Sequence, residues 1–248
     1  MAIRRNWTEE EVRAALALYL VLDFGKFHSR NPRIMALAMR IGRTPSAVAL
    51  KLSNLAALDS SLPQKGMANA SAMDRLVWNG FLADPTGVLA AHRANPEAVA
   101  GRMDDPATMF AHANTTGTTT EATVQRRIGQ DLFRDMILTS YARRCALTGA
   151  EDVRLLNASH IVGWAQAPSE RLNPQNGICL NALHDRAFDR HLITFDEDWR
   201  MVLSPTLPPN ARKILDRGAG ARMELPKRFL PDQSLLEQHR IRFRALAA

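Results

Sequence analysis

Between Cys145 and Asp198 the chain reads CALTG, then LLNASHIVGWAQ, then LNPQNGICLNALHDRAFDRHLITFDED. This stretch limits the fold more than any other. Residues 155–161 are apolar and bounded by charged residues, which predicts a strand ending near His160. Gly177, after the Pro174–Asn176 turn, brings the backbone freedom that a tight hairpin requires. Asn181 then supplies a side-chain oxygen for free amides, so a helix is expected over about 182–190 with His184 one turn in. Three residues stand out for chemistry: His160, Asn176 and His184, spaced by 16 and 8 positions. Such a triple alone arises easily by chance; the surrounding blocks give it weight.

Those blocks resemble the HNH nucleases, and more narrowly the predicted HNH restriction-endonuclease family, where CxxTG, ASHI and NPxNGxxLNxLHDxAFDRGLIT recur in this order. The segment RIGQDLFRDMILTSYARRCALTG, from Arg127 to Gly149, is similar to the helical lead-in of the same family. The resemblance implies an α+β protein with a ββα-metal nuclease core, in which a hairpin and one helix hold the site. It also implies His160 as general base, Asn176 as the residue fixing the loop between the strands, and His184 as metal ligand. On that reading the two imidazoles face each other across a cation-sized gap, and rings turned apart would remove the enzyme.

Two positions depart from the wider pattern. Where many relatives place Asp or His before the base, this chain has Ser159, a poor ligand for a hard cation. A carboxylate is then expected from elsewhere, with Asp189 preferred and Asp185 as the alternative; helical geometry alone pairs neither with His184. His191 stands where the family usually has glycine and is read as a turn residue. Mg²⁺ is the implied ion, with Mn²⁺ an able substitute. Cys145 and Cys179 cannot close a four-ligand zinc knuckle, so no structural zinc is expected and both are read as core residues.

The remaining sequence sets the context. With 32 Lys+Arg against 25 Asp+Glu, a formal +7, the chain favours a polyanionic partner. Two cysteines give no disulfide framework, and no run of about eighteen apolar residues occurs, so a cytoplasmic protein with no membrane partner is expected. Residues 1–103 read as a helical domain. Thr8 caps a first helix, Asn31-Pro32 opens a second that stops at Gly42, and Thr44-Pro45 opens a third. This order, with WTEEE before it, looks like a helix-turn-helix of Myb-like flavour. Arg40, Arg43, Lys51 and Asn54 are then candidates to meet DNA. A helical bundle that only packs, its cations solvated, remains open beside it.

Residues 104–123 are poor in large apolar side chains and read as a linker. Residues 124–248 form the expected nuclease domain, with its core at 145–198 and helices on either side. Arg126, Arg127, Arg143 and Arg144 lie on or beside its lead-in helix and are further phosphate candidates. The expected function is a restriction- or defence-type DNA endonuclease acting on double-stranded DNA, with a homodimer as one arrangement that cuts both strands. The alternatives are a non-catalytic DNA-binding protein on a degenerate HNH scaffold, and a modification-dependent nuclease.

Overall fold

The computed structural model describes residues 5–62, 69–93, 121–217 and 221–247. The chain divides into two compact units, residues 1–132 and 133–248. Most of the expected linker lies outside the described residues.

The first unit is helical: α1 (Glu9–Leu20), α2 (Pro32–Arg40), α3 (Pro45–Ala56), α4 (Ala72–Ala83) and α5 (Pro85–Arg93). Local chemistry starts each of the first four. Thr8 and Glu11 form a reciprocal capping box, Asn31 accepts from the Arg33 amide, Thr44 from that of Ala47, and Ser71 pairs with Asp74 in a second box. Gly42, at φ 62, ends α2 in the left-handed region that favours glycine. Leu16, Ile34, Leu52, Leu55, Trp78 and Phe81 are buried between these helices.

Cations expected on the outside of this unit are used inside it. The Arg43 guanidinium bonds the Glu11 carboxylate at 2.7 Å and the carbonyls of Arg5 and Asn6, and lies 4.3 Å from the Trp7 ring. Burial works to raise the Glu11 carboxyl, but the Arg43 and Thr8 hydrogen bonds outweigh it and hold it below its ordinary range. Lys51 is 4% exposed; its Nζ meets Asp74 Oδ1 at 2.5 Å and lies 4.8 Å from the Trp7 ring centroid. Asn54 is buried too. The outer face of α3 instead shows Ser46 and Leu50. This corrects the placement of Arg43, Lys51 and Asn54 as surface contacts: partners 23 and 32 residues away in sequence pull both cations inward. Arg40 stays exposed.

The division between the units falls within α6 (Glu121–Ser140), whose residues from Phe133 onward belong to the second unit. There, β1 (Leu156–His160) pairs antiparallel with β2 (Gly177–Asn181), Leu156 opposite Asn181 and His160 opposite Gly177. Next come α7 (Ala182–Asp189), a second hairpin of β3 (Ile193–Phe195) and β4 (Met201–Leu203), α8 (Pro209–Leu215) and α9 (Gln233–Ala247). The result is α+β with two small sheets. Gly177 is extended, at φ −143, so its need is space rather than turn freedom. A Cβ there would sit 2.4 Å from Ile137 Cδ1 and 2.6 Å from Phe133 Cζ, inside the face of α6 that the hairpin packs against.

Among the described residues, no helix is long and apolar enough to cross a membrane. Cys145 and Cys179 are free and fully buried. Burial, reinforced by Cys145, pushes the Cys179 thiol up to about 12, consistent with an inert core side chain.

Candidate active site at the end of the first hairpin

Alternation along β1 sends neighbouring side chains to opposite faces. Asn157 and Ser159 turn toward α7, where both meet Asp185: Asn157 Nδ2 donates to Oδ2 at 2.6 Å and Ser159 Oγ to Oδ1 at 2.5 Å. His160 turns toward α6 and stacks on Phe133, ring centroids 3.7 Å apart and 13° from parallel. Trp164 meets the imidazole edge-on at 5.6 Å. His160 Nε2 lies 3.2 Å from the Arg171 carbonyl, a contact that needs the proton on Nε2 and leaves Nδ1 as the basic nitrogen. Burial drives the His160 pKa down to about 4, against the Arg171 carbonyl and the Asp185 charge, which both work to raise it. The ring is therefore neutral at pH 7, with Nδ1 unprotonated.

Asn176 lies at the end of the connection between the two strands. Fully buried, it accepts from the Val162 amide at 2.8 Å and donates to the carbonyls of Val162 and Glu170 at 3.0 and 3.1 Å. These bonds cross the connection between the two strands and hold the carbonyl of Arg171, one residue beyond Glu170, in reach of His160. Arg171 returns along the same connection, its Nε donating to the Trp164 carbonyl at 2.9 Å.

His184 has a separate set of partners. It is 2% exposed and shares a buried i, i+3, i+4 stripe with Ala187 and Phe188, the side of α7 turned to the core. Its Nδ1 lies 3.0 Å from Asn181 Oδ1 and its Nε2 3.2 Å from the Leu215 carbonyl. Burial lowers its pKa despite the Leu215 contact. Each nitrogen faces a protein oxygen, so an ion at this ring would have to displace the Asn181 or the Leu215 contact. Asp189 is corrected likewise: it is exposed and pairs with Arg186, 3.7 Å away on the same helix. Of the named carboxylates, Asp185 alone reaches β1. The signal that would have found it was in the sequence, in the matching spacing of His184 with Ala187 and Phe188.

Among the described residues, no group of three or more His, Cys, Asp or Glu side chains comes together as a metal cage. The donors at hand are the Asp185 carboxylate with the Ser159 hydroxyl and Asn157 amide beside it, all hard oxygen chemistry. That set suits an ion such as Mg²⁺, which keeps several waters and takes one or two carboxylates plus substrate phosphate. It does not suit a closed zinc site.

The arginines flanking the hairpin have varied placements. Arg126 and Arg127 are exposed, and so are Arg143 and Arg144, the latter 3.5 Å from Glu151. At the C-terminus, Arg240 is buried against the Phe195 carbonyl, Arg242 bonds Gln166 and Arg244 pairs with Glu237. His191 occupies the turn after α7 at φ 54, with its amide on the Phe188 carbonyl and that of Leu192 on Ala187.

Residues 145–196, which contain β1, β2 and α7, match the family model described as HNH endonuclease. No curated protein matches the chain.

Proposed function

From the premise that residues 145–196 are an HNH endonuclease segment, we propose that this protein hydrolyses phosphodiester bonds in double-stranded DNA, with His160 as general base and Asp185 as the protein ligand of a divalent ion. The observation that carries the reading is the arrangement at the end of β1: a neutral imidazole with Nε2 anchored, and a carboxylate fixed by two neutral donors whose charge acts on that ring. His160 takes the proton from the attacking water. Asn176 keeps that ring in place through the connection it pins. Ser159 and Asn157 orient Asp185, which would hold Mg²⁺ or Mn²⁺. Such an ion, when bound, neutralises charge on the phosphate and the leaving oxygen.

Cleavage of a restriction or defence kind fits the motif blocks. The α2–α3 pair has the order of a helix-turn-helix, but its inward cations favour a role in packing or positioning over base reading. Arg40, Arg126, Arg127, Arg143 and Arg144 remain exposed candidates for phosphate contact, and a homodimer would allow both strands to be cut. One observation favours the non-catalytic alternative: His184 is sealed and no three-donor cage is present among the described residues.

The deciding experiment is plasmid cleavage in Mg²⁺ or Mn²⁺ by the parent, His160→Ala and Asp185→Asn. Both variants should cut at least ~10²-fold more slowly while melting like the parent. Equal cutting by parent and variants would remove this site from the chemistry, and a parent that binds DNA without cutting would establish the non-catalytic alternative.

A further inference from the structure

The hydrolysis proposed above builds negative charge on the phosphoryl oxygens, and Asp185 is the one carboxylate that would hold an ion to meet it. A fixed cation beside the base would share that load. Arg171 is placed for it. Its main-chain carbonyl touches His160, so the residue is adjacent to the base by construction. Its side chain is half-buried and anchored at one end: Nε donates to the Trp164 carbonyl, and Cζ lies 5.3 Å from the Trp164 ring that itself meets His160. Beyond Nε, the guanidinium has four N–H groups on Nη1 and Nη2. Among the described residues none of these has a protein acceptor.

Other anchored arginines differ. Arg43 uses both terminal nitrogens on Glu11, Arg5 and Asn6, and Arg134 uses both on the carbonyls of Leu156 and Val153. The acid next to Arg171 in sequence, Glu170, accepts from Asn173 Nδ2 at 2.7 Å instead. A guanidinium held by its Nε, with its planar fork open, matches the geometry of two phosphate oxygens.

We propose that Arg171 is a catalytic residue whose Nη1 and Nη2 bind the non-bridging oxygens of the phosphate under attack. This rests on the nuclease reading, and it adds a protein cation to the transition state. The test compares Arg171→Ala and Arg171→Lys with the parent. Single-turnover cleavage is measured with and without added methylguanidinium, and duplex binding without divalent ion is measured across a salt series. In Arg171→Ala the cleavage rate at saturating DNA should fall ~10²-fold or more. Lysine and methylguanidinium should each restore part of it, and the slope of log affinity against log salt should become shallower by about 0.9.

An unchanged rate and slope would overturn the proposal. So would a loss that neither lysine nor methylguanidinium relieves and that comes with a lower melting temperature, since Arg171 would then only be tying down the Trp164 connection. Should the parent bind DNA without cutting it, the nuclease reading fails and the salt slope alone decides whether Arg171 meets phosphate.

Discussion

The two units each contain a cluster of cations, carboxylates and a tryptophan, and the clusters differ in closure. Around Trp7, Arg43 pairs with Glu11 and Lys51 with Asp74, so every charge has an internal opposite. In the second unit, Asp185 is held by the neutral groups of Asn157 and Ser159, and Arg171, beside Trp164, by a neutral carbonyl. The first arrangement is complete without a ligand. In the second, neutral partners fix the direction of each charge without cancelling it, and that is what a site for a charged substrate requires. Composition cannot separate these cases; only the identity of each partner does.

Lys51 gives the largest test of that contrast. Lys51→Ala leaves the Asp74 carboxylate, which is fully buried, without its cation. Breaking a buried pair from one side costs about 3–5 kcal/mol, so the first unit should lose most of its stability in urea. DNA affinity measured well below the melting temperature should keep the parent's salt slope. A shallower slope in a variant that melts normally would put Lys51 on the duplex and dissolve the distinction between the two clusters.

His184 tests the contrast inside the second unit, because it is a closed group next to an open one. His184→Ala removes a buried ring and strands the Leu215 carbonyl, at a cost of about 2–4 kcal/mol. Mn²⁺ affinity, measured by calorimetry at low temperature, should survive in His184→Ala and weaken in Asp185→Asn. The reverse result would return the ion to His184.

The contrast between positions 184 and 185 shows where the sequence was legible. The elements around the site follow largely from local chemistry: Asn181 caps α7 through an amide three residues on, His160 ends β1, and Asn176 pins the connection that leads to it. The segment 145–196 was equally readable from its blocks. What was not readable was the rotation of α7. One step along a helix turns a side chain by about 100°, so whether position 184 or 185 looks at β1 depends on which stripe packs inward. Arg43 and Lys51 failed for a related reason: Glu11 and Asp74 become their partners only after three helices have docked. His191 was legible as a turn residue, though its partner was not.

That partner supplies the smallest test. His191 holds a left-handed conformation that costs a residue with a Cβ about 1–2 kcal/mol. Against that cost, its Nδ1 lies 3.0 Å from His239 Nε2; His239 Nδ1 lies 2.9 Å from Thr194 Oγ1, and its ring stacks on Phe188 at 3.9 Å. Both imidazoles titrate below the ordinary value. For His191 the causes are burial first and Arg242 second, with Asp189 opposing; for His239 burial is again the largest, the Phe188 carbonyl opposes it, His191, Arg242 and Arg240 add to it, and its pKa falls to about 4. The folded chain therefore holds these rings neutral where the unfolded chain, near pH 6.5, would protonate them. Stability from this pair is complete above about pH 6.5 and is lost as pH falls from there toward about 4, because the unfolded state binds more protons in that window. His191→Gly removes both the strained turn and one of the two titrating rings. At pH 7.5 the gain and the loss should cancel to within about 1 kcal/mol, whereas between pH 6.5 and 4.5 the variant should lose stability less steeply than the parent. Parallel pH profiles in urea would mean that the His191–His239 contact contributes nothing to the folded state, and that closure at this turn is geometric only.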